Sequence, residues 1–158
     1  MSHLERFSNR VEDYAKYRPR YPEALGDFLA DFGLKPGATV LDAGSGTGLF
    51  SDLLLSRGAC VIGAEPNEGM RREAEVRLSD NKRFTSLAKS AEGTGLPAES
   101  IDLITAAQAF HWFDVTATKQ EWKRILKPGG WVALVWNERD DINPPHGWLR
   151  RTFPSICR

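Results

Sequence analysis

Three glycines within a short stretch, Gly44, Gly46 and Gly48, constrain this chain more than any other feature of it. The apolar run 38–41 before them predicts a buried strand, and the run 49–55 after them predicts a helix. A glycine-rich turn between a strand and a helix brings backbone N–H groups and the helix N-terminus close to a ligand. The sequence therefore predicts an α/β unit with a ligand site at this turn.

The spacing of the glycines limits the kind of ligand. A dinucleotide-binding fingerprint is G-x-G-x-x-G, whereas here the pattern is G-x-G-x-G and Leu49 occupies the position of the third glycine. Asp42, just before the glycines, is poorly placed beside a phosphate because like charges repel. Both features disfavour a pyrophosphate ligand and an NAD-dependent oxidoreductase. They favour a ligand with hydroxyls, an amine or a positive centre.

Apolar runs alternate with helical patterns along the rest of the chain. Further strands are predicted over 59–64, 83–87, 101–107 and 131–136, and helices over 22–32, 47–57, 68–78 and 115–126. Asn67 and Asp114 are the predicted N-caps of the last two helices, and Asp102 is interpreted as structural. Continuous apolar strands that alternate with helices indicate an α/β domain whose parallel sheet is covered on both faces. We expect one domain over 1–158.

The composition argues against several classes of partner. The 158 residues include 21 Lys plus Arg and 21 Asp plus Glu, so no basic footprint for nucleic acid or an anionic membrane is expected. The apolar runs are far shorter than a membrane span. The two cysteines, Cys60 and Cys157, suggest no disulfide framework, and we expect a reduced, cytoplasmic protein.

The pattern D-x-G-x-G-x-G over 42–48 resembles the class I S-adenosylmethionine-dependent methyltransferases, particularly the small-molecule branch that includes trans-aconitate methyltransferase. This resemblance implies a three-layer Rossmann-like sheet with parallel strands in the order 3-2-1-4-5. It also implies S-adenosyl-L-methionine as methyl donor and S-adenosyl-L-homocysteine as product, with no metal. Residues 1–35 would then form a lid and helices, and residues 36–137 the cofactor-binding core.

The family has two further strands beside the fifth, and we expect this chain to lack them because it ends at Arg158. The fifth strand would then be an apolar sheet edge, which invites pairing with another chain. We therefore expect a homodimer through this strand, or its coverage by the C-terminal segment.

Glu65 is expected to lie at the tip of the second strand, 17 positions after Gly48. In open α/β sheets an acid there hydrogen-bonds the hydroxyls of a ribose. The alternative is a solvent-exposed acid at the start of the next helix. The resemblance extends this site to the following cofactor-binding residues: Asp42, Gly44, Ser45, Gly46, Gly48, Glu65, Pro66, Ser90, Ala91, Glu92, Gln108, Tyr14 and Arg18.

Two of these segments carry the resemblance outside the glycine-rich turn. The stretch Y-x-x-x-R-P-x-Y, which contains Tyr14 and Arg18, is similar to a lid over the cofactor, although it also fits an amphipathic segment that packs on the core. The stretch 90–97 is similar to an A-E-x-x-x-L-P loop that borders the adenine. Ser90 stands where many relatives have Asp, and its hydroxyl can still bond the adenine amino group. An ordinary polar loop is the alternative.

The stretch Q-A-F-H-W-F over 108–113 closely resembles the trans-aconitate-methyltransferase-like branch, in which this loop borders the reactive methyl group. Gln108 and His111 are the candidate catalytic residues, and Trp112 or Phe113 is the candidate to enclose the sulfonium. Alternatively, the aromatic rings anchor the core and His111 is part of the scaffold. A carboxylate acceptor needs no general base and would be oriented by Arg18, whereas a hydroxyl or amine would need His111 as the base.

The leading hypothesis is therefore a methyltransferase that acts on a small molecule, and the resemblance favours a carboxylate as the acceptor. An alternative from a different class is a non-catalytic module that binds S-adenosylmethionine or S-adenosylhomocysteine. The presence of Gln108 and His111 favours the enzyme, whereas the expected lack of the last two strands favours the module.

Overall fold

The computed structural model describes residues 20–137 of the chain. Its strands are β1 (Thr39–Ala43), β2 (Cys60–Ala64), β3 (Phe84–Leu87), β4 (Ile101–Ala107) and β5 (Leu126–Val135). They form one parallel sheet in the order β3-β2-β1-β4-β5, as predicted. The chain leaves β1 toward β2 on one side and returns to β4 on the other. This reversal opens a crevice at the carboxyl ends of β1 and β4.

Helices connect the strands and fall within the predicted ranges. They are α1 (Glu23–Ala30), α2 (Leu49–Ser56), α3 (Glu68–Arg77) and α4 (Val115–Ile125), and a 3₁₀ turn covers Phe110–Trp112. Both predicted N-caps are confirmed. The Asn67 side chain accepts a hydrogen bond from the Met70 N–H at 3.0 Å, and that of Asp114 accepts one from the Ala117 N–H at 2.9 Å.

The junction between α4 and β5 differs from the prediction. Leu126 was expected to end the helix, but it is the first residue of β5 and pairs with Ile101. The next paired residues are Leu103 and Trp131, so residues 127–130 bulge out of the ladder. The strand thus begins before the predicted turn and includes it, because its register depends on β4 as well as on its own sequence.

The bulge places a positive charge beside Asp102. Lys127 Nζ lies 2.8 Å from one carboxylate oxygen of Asp102, and the other oxygen accepts the Thr39 N–H at 2.8 Å. Asp102 therefore ties β4 to both β1 and β5, and its predicted structural role is confirmed.

Apolar side chains cover both faces of the sheet. On one face, Leu29 of α1 and Leu54 of α2 belong to a cluster that includes Val40 of β1. On the other, Trp122 of α4 belongs to a second cluster that includes Ile104 of β4. Burial on both faces makes the sheet a rigid platform, and the loops at the carboxyl ends of its strands are positioned by it.

Candidate cofactor-binding site

A cavity of about 300 Å³ lies at the carboxyl ends of β1, β2 and β4. Most of the residues predicted to bind a cofactor line it: Asp42, Gly44, Ser45, Gly46, Glu65, Pro66, Ser90, Ala91, Glu92 and Gln108. Gly48 and His111 do not line it, and Tyr14 and Arg18 lie outside the described residues. Segments that are distant in sequence thus meet around one space at the edge of the sheet, where ligands bind in open α/β folds.

Asp42 lies in β1 and is only 1% exposed. Its two carboxylate oxygens accept hydrogen bonds from the hydroxyls of Ser51, at 2.6 Å, and Thr105, at 3.1 Å. Burial raises the pKa of Asp42 to about 6; the two hydrogen bonds oppose this change, and the nearby charge of Glu65 adds to it. The carboxylate is therefore held in one orientation beside the cavity.

The glycine-rich turn packs directly on the segment that follows β4. Gly44, Gly46 and Gly48 have φ values of 68°, 55° and 81°, in the left-handed region. A Cβ at Gly44 would lie 2.6 Å from the Cβ of Ala109 and 3.2 Å from Cζ of Phe113. Gly44 is therefore required both by its backbone conformation and by this close approach.

The turn was expected to direct backbone N–H groups at a ligand, and this expectation is wrong for three of them. The N–H groups of Gly44 and Ser45 donate to the carbonyl of Ala64 at 2.8 and 3.2 Å. The N–H of Gly46 donates to Oε2 of Glu65 at 3.0 Å. These donors bond to the end of β2 because the neighbouring strand ends lie side by side. The arrangement offers little to a pyrophosphate, in agreement with the glycine spacing.

Glu65 follows β2 and is 9% exposed, so it is not the solvent-exposed acid of the alternative interpretation. Besides the bond from Gly46, its Oε1 accepts the Asn67 N–H at 2.8 Å. Burial raises the pKa of Glu65, although both hydrogen bonds and the charge of Arg71 oppose this change. Each carboxylate oxygen can accept a further hydrogen bond. The group can therefore serve both hydroxyls of a ribose.

The stretch 88–100 between β3 and β4 has no helix or strand, and it supplies Ser90, Ala91 and Glu92 to the cavity. Ala91 is 2% exposed. Oε1 of Glu92 accepts the backbone N–H of Asp114, the N-cap of α4, at 3.0 Å. This segment is thus tied to the start of α4, and its expected role beside an adenine stays a prediction.

Gln108 directly follows β4 and combines two unusual features. Its φ is 58°, in the left-handed region that residues other than glycine seldom adopt. Its side-chain Nε2 is buried and has no hydrogen-bond partner in the described part of the chain. Its backbone N–H donates to the carbonyl of Val135 at 2.8 Å, which fixes the residue against the end of β5. Strain and an unpaired buried donor beside a cavity indicate a functional position.

The ring-rich segment after Gln108 is divided between the core and the cavity. Phe110 packs with its ring centroid 5.9 Å from that of Trp122, so it anchors the segment to α4. Trp112 and Phe113 line the cavity. His111 is exposed, and its ring centroid lies 4.7 Å from that of Trp112. His111 is therefore beside a cavity residue without lining the cavity itself.

Several residues line the cavity although the sequence did not predict them as site residues: Tyr21, Thr47, Leu49, Phe50, Asn67, Met70, Ala107 and Ala109. Tyr21 packs edge-on against Phe50 with 4.8 Å between ring centroids. A signal for Tyr21 was present, because it is the last residue of the Y-x-x-x-R-P-x-Y stretch. Of the others, Thr47 belongs to the glycine-rich turn and Asn67 is the N-cap of α3, whereas the rest reach the cavity from α2, α3 and the end of β4 with the segment after it.

Three further observations concern possible metal ligands, membrane-spanning helices and free thiols. Within residues 20–137, no three His, Cys, Asp or Glu side chains are grouped so that they could hold a metal ion. In the same part of the chain, no helix has the length and apolar character needed to cross a membrane. Cys60 is a half-buried free thiol in β2. The polar groups that line the cavity are carboxylates, two carboxamides, hydroxyls, the indole of Trp112 and backbone.

A parallel sheet of this order, with a glycine-rich turn after β1 and acids at the ends of β1 and β2, defines a class I methyltransferase fold. The family described as "Methyltransferase domain" matches residues 41–134, which is more than half of the chain. This protein belongs to that family, in the S-adenosylmethionine-dependent class.

Individual relatives agree with this assignment. An uncharacterised methyltransferase-like protein of Schizosaccharomyces pombe is 34% identical over 161 residues, which cover 98% of this chain and 59% of that protein. The chain therefore spans about three fifths of the length of this relative. A solved SAM-dependent methyltransferase of Aquifex aeolicus has a TM-score of 0.69 and 26% identity, over 87% of this chain and 78% of that one.

A second solved structure contains bound ligands. It is phosphoethanolamine N-methyltransferase 2 of Haemonchus contortus, in complex with phosphomonomethylethanolamine and S-adenosylhomocysteine. Its TM-score is 0.62 at 28% identity, and the similarity covers 68% of this chain and 26% of that one. The similarity is therefore confined to a minor part of that protein.

Proposed function

We propose that this chain binds S-adenosyl-L-methionine in the cavity and transfers its methyl group to a small-molecule acceptor. The observation that carries the proposal is the buried carboxylate of Glu65, held by the N–H groups of Gly46 and Asn67 beside the glycine-rich turn. A cavity of about 300 Å³ suits a ligand of nucleoside type.

The groups around the cavity fit the parts of this cofactor. The carboxylate of Glu65 would accept hydrogen bonds from the two ribose hydroxyls. Asp42 would accept one from the ammonium group of the methionine portion, whose positive charge favours the ionised carboxylate. Ser90 would bond the adenine amino group, with Ala91 and Met70 as apolar neighbours. The unpaired Nε2 of Gln108 remains for a group beyond the cofactor.

The chemistry requires little from the protein beyond alignment. Bound S-adenosylmethionine supplies a methyl group on a positively charged sulfur, and transfer leaves neutral S-adenosylhomocysteine. An ionised carboxylate acceptor attacks without losing a proton, so the protein needs only to orient it and exclude water. The rings of Trp112 and Phe113 line the cavity and would exclude water from it.

We further propose a carboxylate as the acceptor class, as in the trans-aconitate-methyltransferase-like branch. Gln108 would donate its Nε2 hydrogen to an acceptor oxygen, and Arg18 would pair with a carboxylate. An acceptor that must lose a proton, such as an amine or a hydroxyl, would instead require His111 as the base after a movement toward the cavity. The bound phosphomonomethylethanolamine of the Haemonchus relative supports a small-molecule acceptor in either case.

Calorimetric titration with S-adenosylmethionine, S-adenosylhomocysteine and NAD tests the cofactor, and a methyl-transfer assay with small carboxylates tests the reaction. Binding with turnover is the expected result. Binding without turnover on carboxylates, amines or hydroxyls would favour the non-catalytic module, for which the exposed position of His111 is the supporting observation. Binding of NAD alone would refute the proposal.

Glu65→Gln is the variant that links binding to this cavity. Glu75→Gln is its matched control, because Glu75 also accepts a hydrogen bond, from Ser86 Oγ at 2.6 Å, but does not line the cavity. Only the first variant should weaken binding. Equal affinity in wild type and Glu65→Gln would show that the cavity is assigned wrongly.

A further inference from the structure

The loop that borders the cavity between β3 and β4 (residues 88–100, the β3–β4 loop) is rich in glycine around Thr94. Gly93 and Gly95 flank this residue, and Gly95 has a φ of 70°. A Cβ at either glycine would meet no atom within 4 Å. Packing therefore does not explain these glycines, and the backbone around Thr94 has more conformational freedom than a loop of ordinary residues.

Thr94 itself is 2% exposed and strongly bonded. Its hydroxyl and its backbone N–H both donate to Oε1 of Glu121 in α4, at 2.6 and 2.9 Å. Its hydroxyl oxygen also accepts the N–H of Leu96 at 3.2 Å. The buried side chain that bonds this loop to Glu121 thus lies between two glycines.

The carboxylate of Glu121 is also bonded to an arginine of its own helix. Arg124 donates to Oε2 from Nε at 2.9 Å and to Oε1 from Nη2 at 2.8 Å. The hydrogen bond from Arg124, followed by those from Thr94, lowers the pKa of Glu121 to about 2 despite partial burial. The carboxylate is therefore ionised throughout the working pH range, and its bonds to Thr94 are charge-assisted.

The cavity residues lie on the same short stretch of loop. Glu92 bonds the N–H of Asp114 at the start of α4, and Thr94 bonds Glu121 two turns further along the same helix. Ser90 and Ala91 directly precede these two contacts. The helix thus holds the loop at two points, and the loop places Ser90 and Ala91 at the cavity.

We infer that Glu121 is a positioning residue for the cofactor: through Thr94 it holds the β3–β4 loop in the conformation that forms the cavity wall. This inference rests on the proposed function. Ordering a flexible glycine-containing segment opposes binding through lost conformational entropy. The contact between Glu121 and Thr94 orders the loop before the cofactor binds, so binding loses less conformational entropy. Neither of the two side chains lines the cavity.

The test measures S-adenosylhomocysteine affinity by calorimetry in Thr94→Val and Glu121→Gln. We expect each to bind about tenfold more weakly, with the loss mainly in the binding entropy. Hydrogen exchange of the ligand-free variants should be faster within residues 88–97 alone. Glu75→Gln is the control, because Glu75 likewise accepts a hydrogen bond from the hydroxyl of Ser86 and pairs with an arginine of its own helix, but neither Glu75 nor Ser86 belongs to the loop.

Two rescue variants separate positioning from a general loss of structure. Thr94→Ser keeps both donors and should bind as the wild type does. Gly93→Ala in the Thr94→Val background reduces the freedom of the loop and should recover about two- to fivefold of the affinity. A merely structural role for the contact would not be repaired by stiffening the loop beside it.

The outcomes are distinct. Wild-type affinity in Thr94→Val and Glu121→Gln, with the wild type binding normally, would overturn the inference and leave the proposed function intact. Weakened binding that Gly93→Ala does not recover would also overturn it. Absence of binding by the wild type would refute the proposed function, and this inference with it.

Discussion

The buried carboxylate of Asp42 leads to a prediction in which stability and binding change in opposite directions. Burial raises its pKa from 3.8 to about 6, so at pH 8 the folded protein carries a charge that its surroundings disfavour. Each factor of ten in the proton equilibrium corresponds to about 1.4 kcal/mol. The rise in the pKa of Asp42 from 3.8 to about 6 therefore corresponds to about 3 kcal/mol of stability. Asp42→Asn removes the charge and keeps the size of the side chain. We expect the variant to be about 1–3 kcal/mol more stable than the wild type at pH 8 and to bind S-adenosylmethionine more weakly.

The direction of the pH dependence follows from the raised pKa. The folded wild type binds this proton more tightly than the unfolded chain, so the contribution to stability is fully present below pH 3.8 and is lost as the pH rises through 6. The advantage of Asp42→Asn should be largest at pH 8 and about half as large near pH 5. Urea unfolding at both pH values measures it. A variant less stable than the wild type at pH 8, or an advantage independent of pH, would refute the reasoning.

Asp102→Asn is a control of opposite sign. Partial burial raises the pKa of Asp102, but the hydrogen bonds from Lys127 and from the Thr39 N–H outweigh it and leave the pKa below its usual value. This carboxylate therefore contributes stability above the ordinary pKa, and the contribution is lost only in more acidic solution. Asp102→Asn should be less stable than the wild type at both pH 8 and pH 5.

Three further predictions concern the cavity. Glu65→Gln should weaken S-adenosylhomocysteine binding by about 1–3 kcal/mol in calorimetry, because a charged hydrogen bond is lost; unchanged affinity would contradict the assignment. Gly44→Ala should lower the free energy of unfolding, measured in urea, by more than about 1 kcal/mol, because a left-handed φ is combined with a 2.6 Å approach to Ala109. Gln108→Leu should be at least as stable as the wild type, since it removes an unpaired buried donor, yet it should lower kcat with little change in cofactor affinity. A loss of stability in that variant would contradict the unpaired state of Nε2.

The sheet could be predicted from the sequence because its strands are buried on both faces. The run 101–107 is apolar apart from Asp102 and Thr105, and the structure has β4 over that range. The caps at Asn67 and Asp114 were equally predictable, since they act on N–H groups three residues away. The start of β5 was not predictable, because Leu126 becomes a strand residue only by pairing with Ile101.

The position of two acidic residues at the cavity was predictable for a related reason. Asp42 lies at the carboxyl end of β1, and Glu65 directly follows β2. Parallel strands bring their carboxyl ends to one edge of the sheet, so the two residues are expected to lie close together. Tyr21 and Met70 reach the same cavity from outside the sheet, so their positions depend on packing that a single sequence does not encode locally. The left-handed backbone of Gln108 also has no local signal, because glutamine rarely adopts it.

Gly44 connects the two sides of the cavity that these residues define. The space that a Cβ would need at Gly44 is filled by Ala109 and Phe113, which belong to the segment proposed to face the acceptor. The turn on the cofactor side and this segment are therefore positioned against each other by direct packing. On the proposed function, methyl transfer would depend on the alignment of donor and acceptor, so a larger side chain at Ala109 or at Gly44 should disturb that alignment. The absence of a side chain at Gly44 would then serve the reaction geometry as well as the fold.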